Sequence, residues 1–186
     1  MSLTKEEICQ KLINLNNQNR KEDQFYTRFY RMPENIGNFL SRQVKSVTRP
    51  NVEFQVADMR HKGYNYRDKQ DIMFGPIIIT FNDDEEALTS MIMNMQLMRQ
   101  LNKHVDVYGL WSELNQDYKF DFKIEYFNSK KQVVEGYVYK DAFISSLEYS
   151  SPNIQSDEDS EITITIMYDN VDILMYDTYV SLFSNS

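Results

Sequence analysis

The side chains that could hold a metal or move a proton are few: His61 and His104, the acidic run Asp83 to Glu86, the acidic triplet Asp157, Glu158 and Asp159, and a single cysteine, Cys9. The two histidines fall in different segments, and neither has the partner four residues away that builds a helical zinc site. The run from Asp83 to Glu86 is made of consecutive carboxylates, whereas a calcium loop spaces its ligands. Placed directly before an apolar periodic stretch, it predicts a helix start. The triplet Asp157 to Asp159 predicts a solvated loop. Neither a nucleophile elbow nor a glycine-rich phosphate loop occurs, and nothing selects a carboxylate pair for glycoside chemistry. One cysteine excludes an internal disulfide and a cysteine-based zinc site. The reading is a chain that is not an enzyme, with no catalytic residue, no metal and no cofactor.

Stability must then come from packing or assembly. The 186 residues suit one domain, and a 41% hydrophobic content suffices for a core. No apolar run reaches the ~18 residues of a membrane span, and the N-terminus lacks the order of a signal peptide, which predicts a soluble chain with no membrane binding. The net charge of -8 is lopsided: residues 1–72 carry 13 Lys and Arg against 9 Asp and Glu, and residues 73–186 carry 7 against 19. A subunit that repeats head to tail sets one surface against a different one, and such asymmetry suits it. An acidic chain argues against a sequence-reading DNA binder, which depends on Lys and Arg for phosphate neutralisation.

Periodicity supplies the elements. Ile8, Leu12 and Leu15 predict a short helix over residues 4–16, followed by the polar connector NRKEDQ. FYTRFYRM and VEFQVA read as half-buried strands, the second with Val52, Phe54 and Val56 on one face. Residues 58–71 hold almost no aliphatic side chain and predict the exposed tip of a long hairpin, with Gly63 as its turn residue. Arg60, Lys62, Tyr64, Tyr66, Arg67 and Lys69 make this arm a candidate contact with an adjacent subunit. Gly75 and Pro76 inside the returning strand predict a bulge or bend. The stretch from Asn82 to Lys103 predicts the principal helix, with acidic residues in its first turn and Leu88, Met91, Ile92 and Met95 as its buried stripe. Met93 and Met98 widen that apolar face, and Trp111 and Leu110 anchor the poorly patterned residues 104–117. Then YKFDFKIEYF, with Phe120, Phe122, Ile124 and Tyr126 inward, the turn NSKK, the strand QVVEGYVYK, a short strand AFISSLEYS, an acidic loop and EITITIMYDN form an antiparallel meander. The fold class is mainly β with one principal helix (α+β): two packed antiparallel sheets forming a sandwich or barrel, flanked by a helix, with a long hairpin arm. The division is residues 1–24 as helix and connector, 25–174 as the β domain and 175–186 as a tail.

The order of these features carries a resemblance. SVTRPNVEFQV before a hairpin arm, FGPIIITFNDDEEA leading into a helix, FDFKIEYFNSKKQVVEGYVYKDAFISSLEYS and lastly SDEDSEITITIMYDN together resemble the tail tube proteins of contractile-tailed bacteriophages, over roughly residues 25–174. That family is related to the tube subunits of type VI secretion. The helix at residues 4–16 and the residues after Tyr176 extend beyond the pattern. The resemblance implies hexameric rings that stack, a continuous inner barrel, sheath and baseplate or terminator proteins as partners, and a virion tail assembled in the host cytoplasm. DNA would be only a cargo that must not stick, so the channel wall should be acidic. The polar strand faces offer Glu53 with Gln55, Asp121 with Glu125, and Glu161 with Thr163 as candidate lining. Two alternatives stand beside a tube subunit: a tube-like ring of the baseplate or tube terminus, and a small carbohydrate-binding β-sandwich using its tyrosines and Trp111 as stacking platforms.

Overall fold

Strands in which every second residue is large and apolar bury one face and leave the other to water. The computed structural model, which describes residues 24–61, 64–101, 118–150, 160–175 and 178–181, is built from such strands: β1 (Phe25–Tyr30), β2 (Val44–Val47), β3 (Val52–His61), β4 (Tyr64–Phe74), β5 (Ile77–Asn82), β6 (Phe120–Phe127), β7 (Val133–Tyr149), β8 (Glu161–Met167), β9 (Asn170–Met175) and β10 (Thr178–Ser181). Helix α1 (Glu34–Gln43) lies between β1 and β2, and helix α2 (Leu88–Gln100) lies between β5 and β6. The side chains of residues 60, 61, 65, 66, 68–71 and 178–181 are outside this description, as are residues 4–16, Cys9, Gly63, His104, Leu110, Trp111 and the triplet Asp157 to Asp159.

Hydrogen-bonded order is β1-β6-β7-β8-β5-β2, with β9 pairing β7 and β10 pairing β9, all antiparallel; β3 and β4 form a separate hairpin sheet. The long strand β7 belongs to two layers. Its first half pairs with β6 and β9, and from Phe143 onward it pairs with β8. The change falls at Asp141, whose φ of 53° is left-handed. The inner faces meet across the core, where the rings of Phe29 on β1 and Phe81 on β5 are 6.1 Å apart. Phe120, Phe122, Ile124 and Tyr126 line one side of that core, and Ile77, Ile79, Phe81, Ile162, Ile164 and Ile166 the other, all buried as their alternation predicts. The result is an α+β sandwich, with no closed barrel among the described residues.

The helices cover the open side of the sandwich. A small apolar void there is lined by Met32 and Leu40 from the α1 region, Ile92, Met93 and Gln96 from α2, and Phe29, Phe120, Ile144 and Ile164 from the strands. Gly37 permits α1 to sit close on β1, since a Cβ there would lie 2.9 Å from the Phe29 carbonyl oxygen. Helix α2 is held at both ends by side chains. Asp84 Oδ1 accepts from the amides of Leu88 at 2.9 Å and Thr89 at 3.1 Å. At the other end Gln100 mimics a strand: its Nε2 donates to Ile144 O at 2.8 Å, and its Oε1 accepts from Ile144 N at 2.9 Å. These two bonds cap part of the β7 edge that no strand covers among the described residues.

Several expectations need correction. A second helix, α1, accompanies the principal one. The acidic residues precede α2 and cap it through side chains instead of filling its first turn, which holds none. Met93 is core, with Thr89, Ile92, Met95 and Gln96, while Leu88 and Met91 are only half-buried and Met98 is exposed. QVVEGYVYK and AFISSLEYS are one continuous strand, because the left-handed Asp141 bends β7 without ending it. Gly75 and Pro76 lie between β4 and β5, at the bend where the arm joins the sandwich. Val52, Phe54 and Val56 are exposed, not half-buried, because they belong to the arm, which starts at Val52 and not at residue 58.

Candidate assembly surfaces

The candidate residues fall on three separate surfaces. The first is the outer face of the layer made by β2, β5, β8 and the second half of β7. Because Ile162, Ile164 and Ile166 point inward, Glu161, Thr163 and Thr165 point out, beside Thr80 and Glu148. Thr80 and Thr163 hydroxyls lie 3.3 Å apart, and Ser145 Oγ donates to Thr165 O at 3.0 Å. Lys45 Nζ is bonded to Glu161 Oε1. The exposed apolar side chains of this face are Ile78 and Met167. It is a hydroxyl-rich surface with few charges.

The second surface is the outer face of β1, β6, β7 and β9, and it is dense in paired charges. Glu125 takes Lys123 at 2.5 Å and Asp172 takes Lys140 at 2.5 Å. Asp121 is a structural group. Its Oδ1 accepts from the Asp141 amide at 2.9 Å and from Arg31 Nη1 at 3.2 Å, and the same Arg31 nitrogen reaches Asp141 Oδ1 at 2.5 Å. Arg31 and Asp141 both have left-handed backbones, with φ of 59° and 53°. Asp121 thus pins the corner where β7 passes between layers. Sequence spacing did not reveal this role, because Arg31 and Asp141 are far from it in the chain. The two outer faces belong to opposite sides of one sandwich, so Asp121 with Glu125 and Glu161 with Thr163 do not share a surface.

The third surface is the arm. Glu53 and Gln55 lie on β3, both exposed, and Asn51 Nδ2 donates to Glu53 Oε1 at 2.9 Å. Tyr64 is 80% exposed, and Arg67 Nε bonds Asp58 Oδ1 at 3.2 Å near the tip. Arg60, Tyr66 and Lys69 lie on the paired strands, although their side chains fall outside the described residues, and Lys62 lies outside them altogether.

The root of the arm is clamped from both sides. On the outgoing side, the Arg49 guanidinium sits 4.9 Å from the Tyr126 ring centroid and 4.0 Å from Glu135. On the returning side, Gly75 N donates to Asn51 O at 2.8 Å, Tyr168 OH donates to Gly75 O at 3.1 Å, and the Phe74 and Tyr168 rings are 6.3 Å apart. Tyr168 continues inward to Tyr139, with centroids 4.8 Å apart, and Tyr139 stacks on Phe122 at 4.4 Å. Burial pushes the Tyr168 hydroxyl up to about 12 and raises Tyr137 and Tyr139 further, Tyr137 with help from its bond to Glu135. Lys119 is also raised, chiefly by its bond to Asp169 at 2.5 Å. None of these groups lines the apolar void between the helices and the strands. Among the described residues no three His, Cys, Asp or Glu side chains come together as a metal site, and no helix is long and apolar enough to cross a membrane.

No family model matches the chain, and no curated protein matches its sequence. Solved structures do match its fold. A chain of the cryo-EM structure of the anti-feeding prophage baseplate, six-fold symmetrised, superposes with a TM-score of 0.62 at 12% identity, over 87% of this chain and 99% of that one. A chain of the anti-feeding prophage tube-terminating cap gives 0.62 at 16% identity, over 87% and 94%. A chain of the sheath-tube complex of the PVC extracellular contractile injection system, in its extended state, gives 0.60 at 14% identity, over 94% and 99%. The resemblance of the sequence to tail tube proteins is thus matched in three dimensions, and the chain has the fold found in the baseplate, tube and terminator assemblies of contractile injection systems.

Proposed function

We propose that this chain is a structural subunit of a contractile-type tail tube, assembling as hexameric rings that stack around a channel for DNA, with sheath and baseplate or terminator proteins as partners. The observation that carries the proposal is the shared fold over nearly the full length of chains from such assemblies. In this reading the hydroxyl-rich outer face, with Glu161, Thr163 and Thr165, lines the channel. Lys45, which could bind phosphate, is held there by Glu161. Asp121 and Glu125, held in their own ion pairs on the opposite layer, face away from the cargo. The charged tip of the arm, with Arg60, Lys62, Tyr64, Tyr66, Arg67 and Lys69, reaches the adjacent ring.

A second reading, a single tube-like ring at the baseplate or tube terminus, is supported by the matches to chains of a baseplate and of a terminating cap. Deletion of residues 60–69 separates assembly from folding. The sandwich should melt as before, while sedimentation should show loss of stacked species; stacking that survives the deletion contradicts the assigned role of the arm.

A further inference from the structure

The arm continues a ribbon that begins inside the sandwich. Strand β2 pairs with β5 as far as Val47 and Ile79, and beyond them Thr48 N donates to Ile78 O at 2.9 Å while Ile78 N donates to Thr48 Oγ1 at 2.9 Å. Pairing resumes where Gly75 N donates to Asn51 O at 2.8 Å, and it runs out along β3 and β4 from Val52 and Phe74. Between these points each side of the ribbon carries a proline, Pro50 and Pro76, with no amide to give to the ladder. The backbone is therefore weakest at this bend, and side chains of the sandwich set the direction of the arm.

The two sides of the bend are held unequally. On the returning side the anchor is Tyr168, half-buried and packed on Tyr139 of the core, which bonds Gly75 O and meets the Phe74 ring. On the outgoing side the Arg49 side chain is 52% exposed, and its approach to Glu135, at 4.0 Å, is a long ion pair. Its second contact is the face of the Tyr126 ring. Exposed contacts of these kinds are weak, and salt screens the ion pair.

We propose that Arg49 is a releasable latch for the arm. Closed on Tyr126 and Glu135, it holds the arm in one direction; open, it lets the ribbon swing about Gly75 and Tyr168 while the sandwich stays folded. The direction of the arm decides which surface of a neighbouring molecule its tip can reach, so Arg49 is a positioning residue for that contact. The latch itself is a property of the single chain and holds whether or not the chain forms a tube.

Pulsed electron spin resonance on the full chain tests it. In a Cys9→Ser background, Tyr64→Cys on the arm and Lys130→Cys on the turn between β6 and β7, both exposed, carry nitroxide labels. Labelled chain is diluted into unlabelled chain, so that distances within one chain are read in any state of assembly. The parent should give one narrow distance at low salt. Arg49→Ala should lower the latched population about fivefold relative to the released one, seen as a second, broad component, and about 1 M salt should move the parent the same way. The melting temperature should stay unchanged. A distribution for Arg49→Ala that matches the parent overturns the proposal, as does a parent that is already broad or is indifferent to salt. A fall in melting temperature with Arg49→Ala also overturns it, because Arg49 would then support the sandwich itself.

Discussion

Gln100 closes part of a sheet edge with a side chain, and its removal has a calculable cost. Both of its bonds to Ile144, at 2.8 and 2.9 Å, are partly buried. Two neutral hydrogen bonds at about 1 kcal/mol each give about 2 kcal/mol for Gln100→Ala, which for a chain of this size lowers Tm by about 4–8 °C. Gln100→Glu discriminates further. At neutral pH the carboxylate still accepts from Ile144 N, but it no longer donates to Ile144 O and is set against that carbonyl. This raises the folded-state pKa of the introduced carboxyl above its unfolded value of about 4.3. A raised acid favours the fold below its unfolded pKa and loses that benefit as pH rises through the folded value, so the variant should recover stability on acidification while Gln100→Ala should not. Urea unfolding followed by circular dichroism gives the energies, and hydrogen exchange at the Ile144 amide gives the site. A loss under about 0.5 kcal/mol, within the range of ordinary surface changes, with Ile144 still protected, would refute the idea that Gln100 serves as a substitute strand.

Three further outcomes follow from named contacts. Gly37→Ala places a Cβ 2.9 Å from the Phe29 carbonyl oxygen; the resulting shift of α1, offset in part by better helix propensity, should cost about 1–2 kcal/mol in urea unfolding, and a stabilised variant would show that α1 can retreat freely. Asp84→Ala removes the cap of α2 and should cost about 1 kcal/mol. Burial alone would raise the Asp84 carboxyl, but the amides of Thr89, Leu88, Asp84 and Glu86 outweigh it and hold the group below its usual 3.8, so the cap's contribution is present above that pH and fades as pH falls through the lower folded value; an acid unfolding profile identical to that of the parent would contradict this. Of the 13 tyrosines, Tyr137, Tyr139 and Tyr168 are raised by burial. Their neutral forms favour the fold fully below about pH 10, and that advantage is lost as pH climbs toward the folded values. Phenolate absorbance should therefore show a late step coincident with unfolding, and a single titration near 10 with the fold intact would count against their burial.

Strands β5, β6 and β8 were legible because their alternation is strict and their apolar faces meet one another. Alternation says which residues share a face and not what covers it, so Val52, Phe54 and Val56 read as one face of a half-buried strand although they lie exposed on the arm. Helix α1 was hidden by its short length, by Gly37 at its centre and by Pro33 beside Glu34, signals that also suit a loop. The passage of β7 between layers depends on a left-handed Asp141 stabilised by Asp121 and Arg31, partners far apart in the chain. For the same reason the bonds of Asp121 to the Asp141 amide and to Arg31 were not legible beside its reading as a candidate channel-lining carboxylate. The outer part of the arm, residues 58–71, was legible from its lack of aliphatic residues, but its start at Val52 and its clamp, made by Arg49 and Tyr168, were not.

The central claim, that this chain assembles into stacked rings around a channel, is tested most directly by negative-stain electron microscopy of the purified full chain at high concentration. The account predicts six-fold rings with a stain-filled centre, stacked end to end into tubes. A uniform field of single globular particles, matched by a monomer mass in light scattering, would contradict it.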